Sequence, residues 1–446
     1  MATRVAPRTL QGMRDFLPER MILRQFVVTT LRDVFERFGF EPLETPAIEY
    51  ADTLEGKYGE EADKLIYKFE DRGGRQVGLR YDLTVPLARV VAQYSDLPKP
   101  FKRYQIAPVW RAERPQKGRY REFWQCDVDT VGATSMLADA EVVSVLYEAL
   151  RRLSFTRFTI RINSRKILTA VAESVGVLAG ESLGLYRAID KLDKIGEDGV
   201  RAELAERGYQ GEVIDRVFEV IAGHGDSRVI LENLRRRFAD QPLGLEGIDE
   251  LEQLISHIES VGVPTSCFRV DLTMVRGLDY YTGPIFETIV EEPRIGSISG
   301  GGRYDHLIGM FSGQDVPATG LTLGLERIFD VIEELNLRPS GLGKTVSQAL
   351  VAVFPDTIAS ALGLAKDLRG GGIRTEVSLS VDRLSNQLRY ASRRLIPCVL
   401  IAGATEVAAG QVIIKEMESG EQVTVARAEV VDALRARFKN VSLTGS

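Results

Sequence analysis

Cysteine, histidine and tryptophan are scarce in this chain of 446 residues, at three, three and two. The cysteines (Cys126, Cys267, Cys398) stand far apart with no CxxC pair, which excludes a disulfide scaffold and a cysteine zinc site. The histidines (His224, His257, His306) are equally scattered, which argues against a histidine-rich metal site, and no protein metal ligand is assigned. No apolar run nears the ~18 residues of a membrane helix, and Met1–Asp15 has no signal-peptide core. Nor is there an excess of basic charge: 57 Lys and Arg face 63 Asp and Glu, a net charge of −6. That sum speaks against a polyanionic partner, while the missing disulfide framework, membrane run and signal core point to a soluble, cytoplasmic protein. Hydrophobic residues at 44% and charged residues at 27% are globular usage, and the length suggests two or three domains.

What is present is ordered patterning. Helical spacing of Phe26, Val27, Leu31 and Val34–Phe35 predicts a helix over Met21–Arg37, broken by the Phe38–Pro46 segment with its two prolines. Aromatic and β-branched runs at Leu65–Phe69, Val77–Tyr81, Arg103–Val109 and Glu122–Val128 read as antiparallel strands. Between Ser174 and Val263, charged helices with glycine turns (Leu185–Ile195, Val200–Arg207, Val213–Ala222) read as an insertion. Strand-like runs return at Phe268–Thr273 and Gly283–Val290, followed by glycine-rich turns and a helix over Leu323–Leu335. Past the Pro/Gly/Ser-rich Leu337–Lys344, β and α patterns alternate. The expected domains are an α+β unit (1–173 with 264–336), a helical insertion (174–263), a linker (337–345) and a small α/β domain (346–446).

The densest charge anomaly is Lys99–Arg121, where eight basic residues and one acid, Glu113, give +7. Phe101, Tyr104, Trp110 and Tyr120 are interleaved, with Phe123 and Trp124 just after. Guanidinium groups read phosphate and aromatic faces stack on bases, so the mixture suits a nucleotide or nucleic acid. A solvated basic hairpin fits the composition equally well. Arg276-Gly-Leu-Asp-Tyr-Tyr-Thr-Gly283 and Ser297-Ile-Ser-Gly-Gly-Gly-Arg-Tyr-Asp305 combine paired tyrosines with fixed charges and three consecutive glycines that allow close backbone approach. For either tyrosine alone, packing in the core is the simpler account. Gly320–Ile328 is a strand-to-helix junction with Arg327 on the first turn, suited to an anion. Gly341–Thr345 is no P-loop, because the motif requires glycine where Arg338 stands and no strand immediately precedes it.

Taken in order along the chain, these segments resemble class II aminoacyl-tRNA synthetases, and within them the histidyl-tRNA synthetase family. Phe38–Pro46, Phe101–Val131 and Gly320–Ile328 look like the three class II motifs. Arg276–Tyr281 and Gly300–Asp305 resemble that family's two signature peptides, and Leu79–Leu87 its amino-acid-binding strand. The resemblance covers nearly the whole chain. It implies an antiparallel catalytic sheet flanked by helices and an anticodon-binding α/β domain at the C-terminus. The implied reaction is ATP-dependent ligation of L-histidine to tRNA(His) through histidyl-adenylate, with Mg²⁺ accompanying ATP and a homodimer joined through the first motif, where Pro46 matches. By motif position, Arg111 and Arg276 are the catalytic cations. Asp82, Thr84, Gln125, Asp129, Arg276, Tyr280 and Tyr281 would bind histidine, and Arg111, Glu113, Arg119, Phe123 and Arg327 would bind ATP. Many family members carry glutamate where Asp82 and Asp129 stand. Arg114, Gln116 and Arg389 would meet tRNA, although a helix carrying Arg383, Arg389, Arg393 and Arg394 is equally an ordinary solvated face. The alternative is an inactive paralogue, a histidine-sensing regulatory subunit of ATP phosphoribosyltransferase. Such paralogues resemble this fold but degrade the ATP-contacting residues and lack the C-terminal domain, and both are retained here. Arg276→Ala should greatly slow adenylate formation while leaving histidine binding measurable; near-wild-type turnover would remove Arg276 from the mechanism.

Overall fold

A computed structural model describes residues 5–59, 63–116, 118–177, 182–275, 280–293, 295–339 and 341–438. Two compact units make up the chain: Met1–Arg14 with Thr30–Leu337, and Asp15–Thr29 with Arg338–Ser446. The strands in chain order are β1 (Glu41–Pro42), β2 (Ile48–Tyr50), β3 (Lys68–Glu70), β4 (Gln76–Leu79), β5 (Phe101–Trp110), β6 (Glu122–Val131), β7 (Phe158–Ser164), β8 (Phe268–Val270), β9 (Pro284–Val290), β10 (Ser297–Arg303) and β11 (Ala318–Gly324). Eight of them form one sheet in the order β1-β5-β6-β11-β10-β9-β7-β8, and β2-β4-β3 form a small second sheet. The large sheet is antiparallel except at its two edges, where β1 runs parallel to β5 and β8 parallel to β7.

At the heart of the sheet, β5 and β6 pair over ten residues on each strand. Alternation sends Cys126 and Val128 to one face of β6, both fully buried, and Gln125, Asp127 and Asp129 to the other. Two helices packed on the sheet begin where a side chain meets the free N–H groups of the first turn. Ser135 Oγ accepts from Leu137 N ahead of the helix Met136–Arg152, and Ser164 Oγ accepts from Lys166 N ahead of Arg165–Ser174. Such caps contribute about 1 kcal/mol each.

In the second unit the strands are β12 (Ala349–Val351), β13 (Thr375–Val377), β14 (Cys398–Ile401), β15 (Gln411–Glu416) and β16 (Gln422–Ala426), ordered β13-β12-β14-β15-β16. Ala349 and Val351 face the helices Ile358–Gly370 and Val430–Phe438, while Leu350 and Ala352 face the helix Leu384–Arg393. That alternation produces a sheet with helices on both sides.

The structure departs from the sequence reading in three places. Leu79–Leu87, expected as a strand, is the end of β4, a turn, and the start of the helix Thr84–Gln93. The cause is Asp82, whose Oδ1 accepts from Val85 N at 3.1 Å and gives that helix its first-turn partner. The glycines expected in turns, Gly300–Gly302, lie inside β10, between β9 and β11. Two helices of the inserted segment, Ser227–Arg237 and Pro242–Ser260, and the antiparallel hairpin β15–β16 also went unread.

Glycine is required at the middle of the sheet for steric reasons. A Cβ on Gly301 would lie 2.2 Å from Gly320 O, and one on Gly320 would lie 2.0 Å from Asp129 Oδ1, its register partner on β6. Gly320→Ala should therefore destabilise the fold by about 3 kcal/mol, read as a lowered thermal midpoint. An unchanged midpoint would show that the sheet accommodates the methyl.

Candidate active site

Asp129 lies on β6, 2% exposed, and Arg103 lies opposite it on β5 with no exposure at all. Arg103 Nη2 meets Asp129 Oδ2 at 2.8 Å and donates to Leu83 O at 3.0 Å. Tyr304 OH hydrogen-bonds Asp129 Oδ1. Burial raises the Asp129 carboxyl above its ordinary value, while Arg103 and Tyr304 pull it back toward ionisation. The carboxylate is thus held in one orientation by a cation and a phenol.

Asp82, also 2% exposed, sits in the turn before the helix Thr84–Gln93. Tyr58 OH donates to its Oδ1 at 2.9 Å, and its Oδ2 has no hydrogen-bond partner among the described residues. Burial again raises the carboxyl, opposed by Val85 N, Tyr58, Arg111 and Arg103. Thr84 is buried at the first position of that helix. Gln125 Nε2 donates to Thr322 Oγ1 at 3.3 Å, leaving Oε1 without a partner among the described residues.

Tyr280 and Tyr281 stand with ring centroids 4.9 Å apart, and Tyr280 meets Tyr304 edge-on at 5.8 Å. Burial raises both phenols well above the ordinary value, and the carboxyls Asp129, Asp127 and Asp82 raise Tyr281 further. Tyr281 is therefore a neutral group able to donate or accept. A buried cluster of acids and phenols results, assembled from β6, the turn before Thr84 and the segment before β9, and it is the candidate substrate pocket.

Arg111 closes one side of it. Its Nε donates to Tyr81 O at 3.2 Å, and its guanidinium carbon lies 4.2 Å from the Tyr81 ring centroid and 5.1 Å from that of Phe123. Two aromatic faces hold the cation by cation–π attraction and leave its remaining N–H groups directed by that fixed plane. Phe123 packs on Leu83, Ala107 and Val109. Arg119 Nη1 and Glu113 Oε2 are 3.6 Å apart on the loop beyond β5, where Arg119 is exposed. Arg327 donates to Gly118 O at 3.4 Å and to Ser297 O, which puts it beside the tip of the same loop. Arg114 and Gln116 are exposed on that loop.

Asp82, Thr84, Gln125, Asp129, Tyr280 and Tyr281 are thus brought to one pocket, with Arg111 and Phe123 at its side and Glu113, Arg119 and Arg327 around the adjoining loop. Arg276 lies outside the described residues. Arg389 is exposed in the second unit, its Nη1 3.5 Å from Asn386 Oδ1. His306 pairs with Asp315 at the surface, 2.8 Å away.

Sequence reasoning overlooked Tyr58, Tyr304, Arg103 and Asp127 as parts of the pocket. The alternation that sends Cys126 to the core assigns Asp127 to the same face as Gln125 and Asp129, so that signal was available. No sequence spacing points to Tyr58. Among the described residues no three His, Cys, Asp or Glu side chains stand together as a metal site.

A family model described as histidyl-tRNA synthetase matches residues 12–328, and one described as an anticodon binding domain matches residues 348–437. The histidine–tRNA ligase of Aeropyrum pernix is 47% identical over 432 residues, covering 96% of this chain and 98% of its own. That of Cytophaga hutchinsonii is 42% identical over 450 residues, covering 96% and 99%. The crystal structure of histidyl-tRNA synthetase from Nostoc sp. PCC 7120 superposes with a TM-score of 0.87 at 32% identity, covering 97% of this chain and 100% of that one. An ATP phosphoribosyltransferase regulatory subunit/histidyl-tRNA synthetase from Bacillus halodurans C shares the fold, with a TM-score of 0.75 at 23% identity.

Tyr304→Phe removes the donor that helps Asp129 ionise, so its carboxyl should move up further. A hydrogen bond to a charged group is worth about 2 kcal/mol, so the thermal midpoint should fall by a few degrees. An unchanged midpoint would show that this bond contributes nothing measurable to the fold.

Proposed function

Since the chain belongs to the histidyl-tRNA synthetase family, we propose that its ligation of histidine to tRNA runs through the pocket of Asp82, Gln125, Asp129, Tyr280 and Tyr281. The chain is a class II enzyme that charges tRNA with histidine. A carboxylate oxygen of histidine attacks the α-phosphorus of ATP, and the bond to the departing pyrophosphate breaks. The 3′-terminal ribose hydroxyl of tRNA(His) then attacks the carbonyl carbon of histidyl-adenylate, and AMP leaves. Neither step needs a protein nucleophile, so the protein's work is positioning and neutralising charge.

The observation that carries this assignment is the guanidinium of Arg111, fixed between the Tyr81 and Phe123 faces beside the buried acids. There it would hold the substrate carboxylate and the α-phosphate together. Asp82, Thr84 and Gln125 would take the α-ammonium, for which the unpartnered Asp82 Oδ2 and Gln125 Oε1 are suited acceptors. Asp129, pinned by Arg103 and Tyr304, would accept from one ring nitrogen while Tyr281 addresses the other. A site built to hydrogen-bond its substrate rejects analogues lacking those groups by a factor of order 10⁴. Phe123 would stack on adenine, Glu113 and Arg119 would contact ATP, and Arg327 would meet its γ-phosphate side. Arg276 would stand near the α-phosphate. Mg²⁺ enters on the phosphates as part of the ATP substrate, in keeping with an ion that retains waters and few protein ligands.

Exposed Arg114 and Gln116 suit contact with the acceptor end of tRNA, and exposed Arg389 suits the anticodon side. Work in the cytoplasm follows from those substrates. A homodimer is supported by the exposed Ile48, Tyr50 and Phe69, which lie on the small β2-β4-β3 sheet just after the Phe38–Pro46 segment. The regulatory-subunit reading has nothing in its favour: Arg111, Glu113, Arg119 and Arg327 are all present, and the anticodon-binding region is matched over residues 348–437.

Purified protein should exchange pyrophosphate into ATP with histidine and with no other of the twenty amino acids, and should scatter light as twice the mass of one chain. Exchange with none of them, or with a different one, would overturn the assignment; a monomeric mass would overturn the dimer alone.

A further inference from the structure

One buried acid remains without a role. Asp127 is 1% exposed, and neither of its oxygens makes a hydrogen bond of ordinary geometry among the described residues. It stands between Gln125 and Asp129 on the pocket face of β6, in register with Gln105 on β5 and Thr322 on β11. The groups acting on it come from every neighbouring element: Arg103 from β5, Asp129 from β6, the Thr322 hydroxyl from β11, and Asp82 from the turn before Thr84. Its charge is felt in turn by Tyr281 and by Arg80. Arg80 is already engaged by Pro108 O at 2.9 Å, Thr45 O at 2.6 Å and Glu44 at 3.4 Å.

Charge counting then limits what the pocket can hold. Ionised together, Asp82, Asp127 and Asp129 would set three negative charges around Arg103, the Arg80 charge being matched by Glu44. In the reading proposed above, the α-ammonium of histidine offsets one of them, and the substrate carboxylate is matched by Arg111. One negative charge is left over among side chains at most 2% exposed, where an uncompensated charge is expensive. A single proton removes it.

We propose that Asp127 is a specificity residue for the amino-acid side chain, keeping a proton of its own so that a neutral imidazole, not an imidazolium, completes the charge balance of the pocket. This rests on the histidine-binding assignment and deepens it: the pocket selects a side chain that is uncharged near neutral pH as well as one that can donate and accept. In the empty pocket the proton sits on Asp127, whose carboxyl is pushed up to about 8, chiefly by burial, against the pull of Arg103 and with repulsion from Asp129. Neutral imidazole entering at pH 7 finds that proton in place, and none is exchanged with solvent. Above about pH 8 the carboxyl is already ionised and the complex must take a proton from solution. Below about pH 6.5, the ordinary value for a free imidazole, the incoming ring must give one up. Affinity is therefore highest between those limits and falls about tenfold per pH unit above the upper one.

Calorimetric titration of the full chain with histidine, in two buffers of different ionisation enthalpy, tests this directly. Histidine's own α-ammonium loses its proton in the same alkaline range, so the role of Asp127 is read as the difference between the wild type and Asp127→Asn, in which a neutral amide replaces the titrating group. Between pH 8 and pH 9 the wild type should lose about fivefold more affinity than the variant and, at pH 9, take up close to one proton more. A variant that weakens and takes up protons as the wild type does would overturn the role of Asp127. Should the variant not fold, wild-type uptake no larger than the α-ammonium accounts for would overturn it instead. If histidine supports pyrophosphate exchange while the extra alkaline loss is missing, only Asp127 loses its role; if histidine neither binds nor supports exchange, the histidine assignment falls and this inference with it.

Discussion

A guanidinium with no solvent exposure, Arg103 on β5, meets Asp129 on β6 at 2.8 Å and Leu83 O, just ahead of the helix Thr84–Gln93, at 3.0 Å. Those two partners belong to the two halves of the pocket, the sheet face and the turn carrying Asp82. Burying a charge this completely is tolerable only while the partner stays in place, and breaking such a pair costs about 3–5 kcal/mol. The geometry of the pocket and the stability of the sheet are therefore secured by the same contact. Glycine at 320 is the complementary condition, because any Cβ there would occupy the space of the Asp129 carboxylate.

The fold was legible where periodicity and chain order agree. The β5–β6 hairpin, the helix after Gly324 and the alternation of the C-terminal unit follow from spacing and punctuation, and the order of the motifs identified the family. The turn at Asp82 was misread because Leu79–Leu87 has the apolar character of a strand, and only the capping bond from Val85 N shows that a helix begins there. Gly300–Gly302 suggested a turn because glycine usually marks one. In the sheet it serves close approach between strands instead. The β15–β16 hairpin went unread because its turn at residues 417–421 carries a single glycine among polar residues. Tyr58 could not be found from spacing, since its contact with Asp82 spans 24 residues and an intervening two-strand hairpin.

Net charge was the least informative quantity. The total of −6 conceals the +7 of Lys99–Arg121, and the structure divides even that stretch. Arg103 is committed to Asp129, Arg111 to the aromatic faces of Tyr81 and Phe123, and Arg121 to Glu113 O and Gln11 O. Arg114 and Arg119 remain exposed on the loop. The same basic run thus supplies an internal strut, an oriented cation and a solvent-facing surface, three roles that composition cannot separate.

The three cysteines differ as sharply. Cys126 is sealed beneath β6, and Cys398 lies within the sheet of the second unit, where burial pushes its thiol up to about 11. Cys267 alone is partly exposed, in the short turn Thr265–Cys267 between the helical segment and β8. A maleimide offered to the folded chain therefore meets a single accessible sulfur. The natural sequence already carries one address for a fluorophore or spin label, placed where the inserted helices rejoin the catalytic sheet.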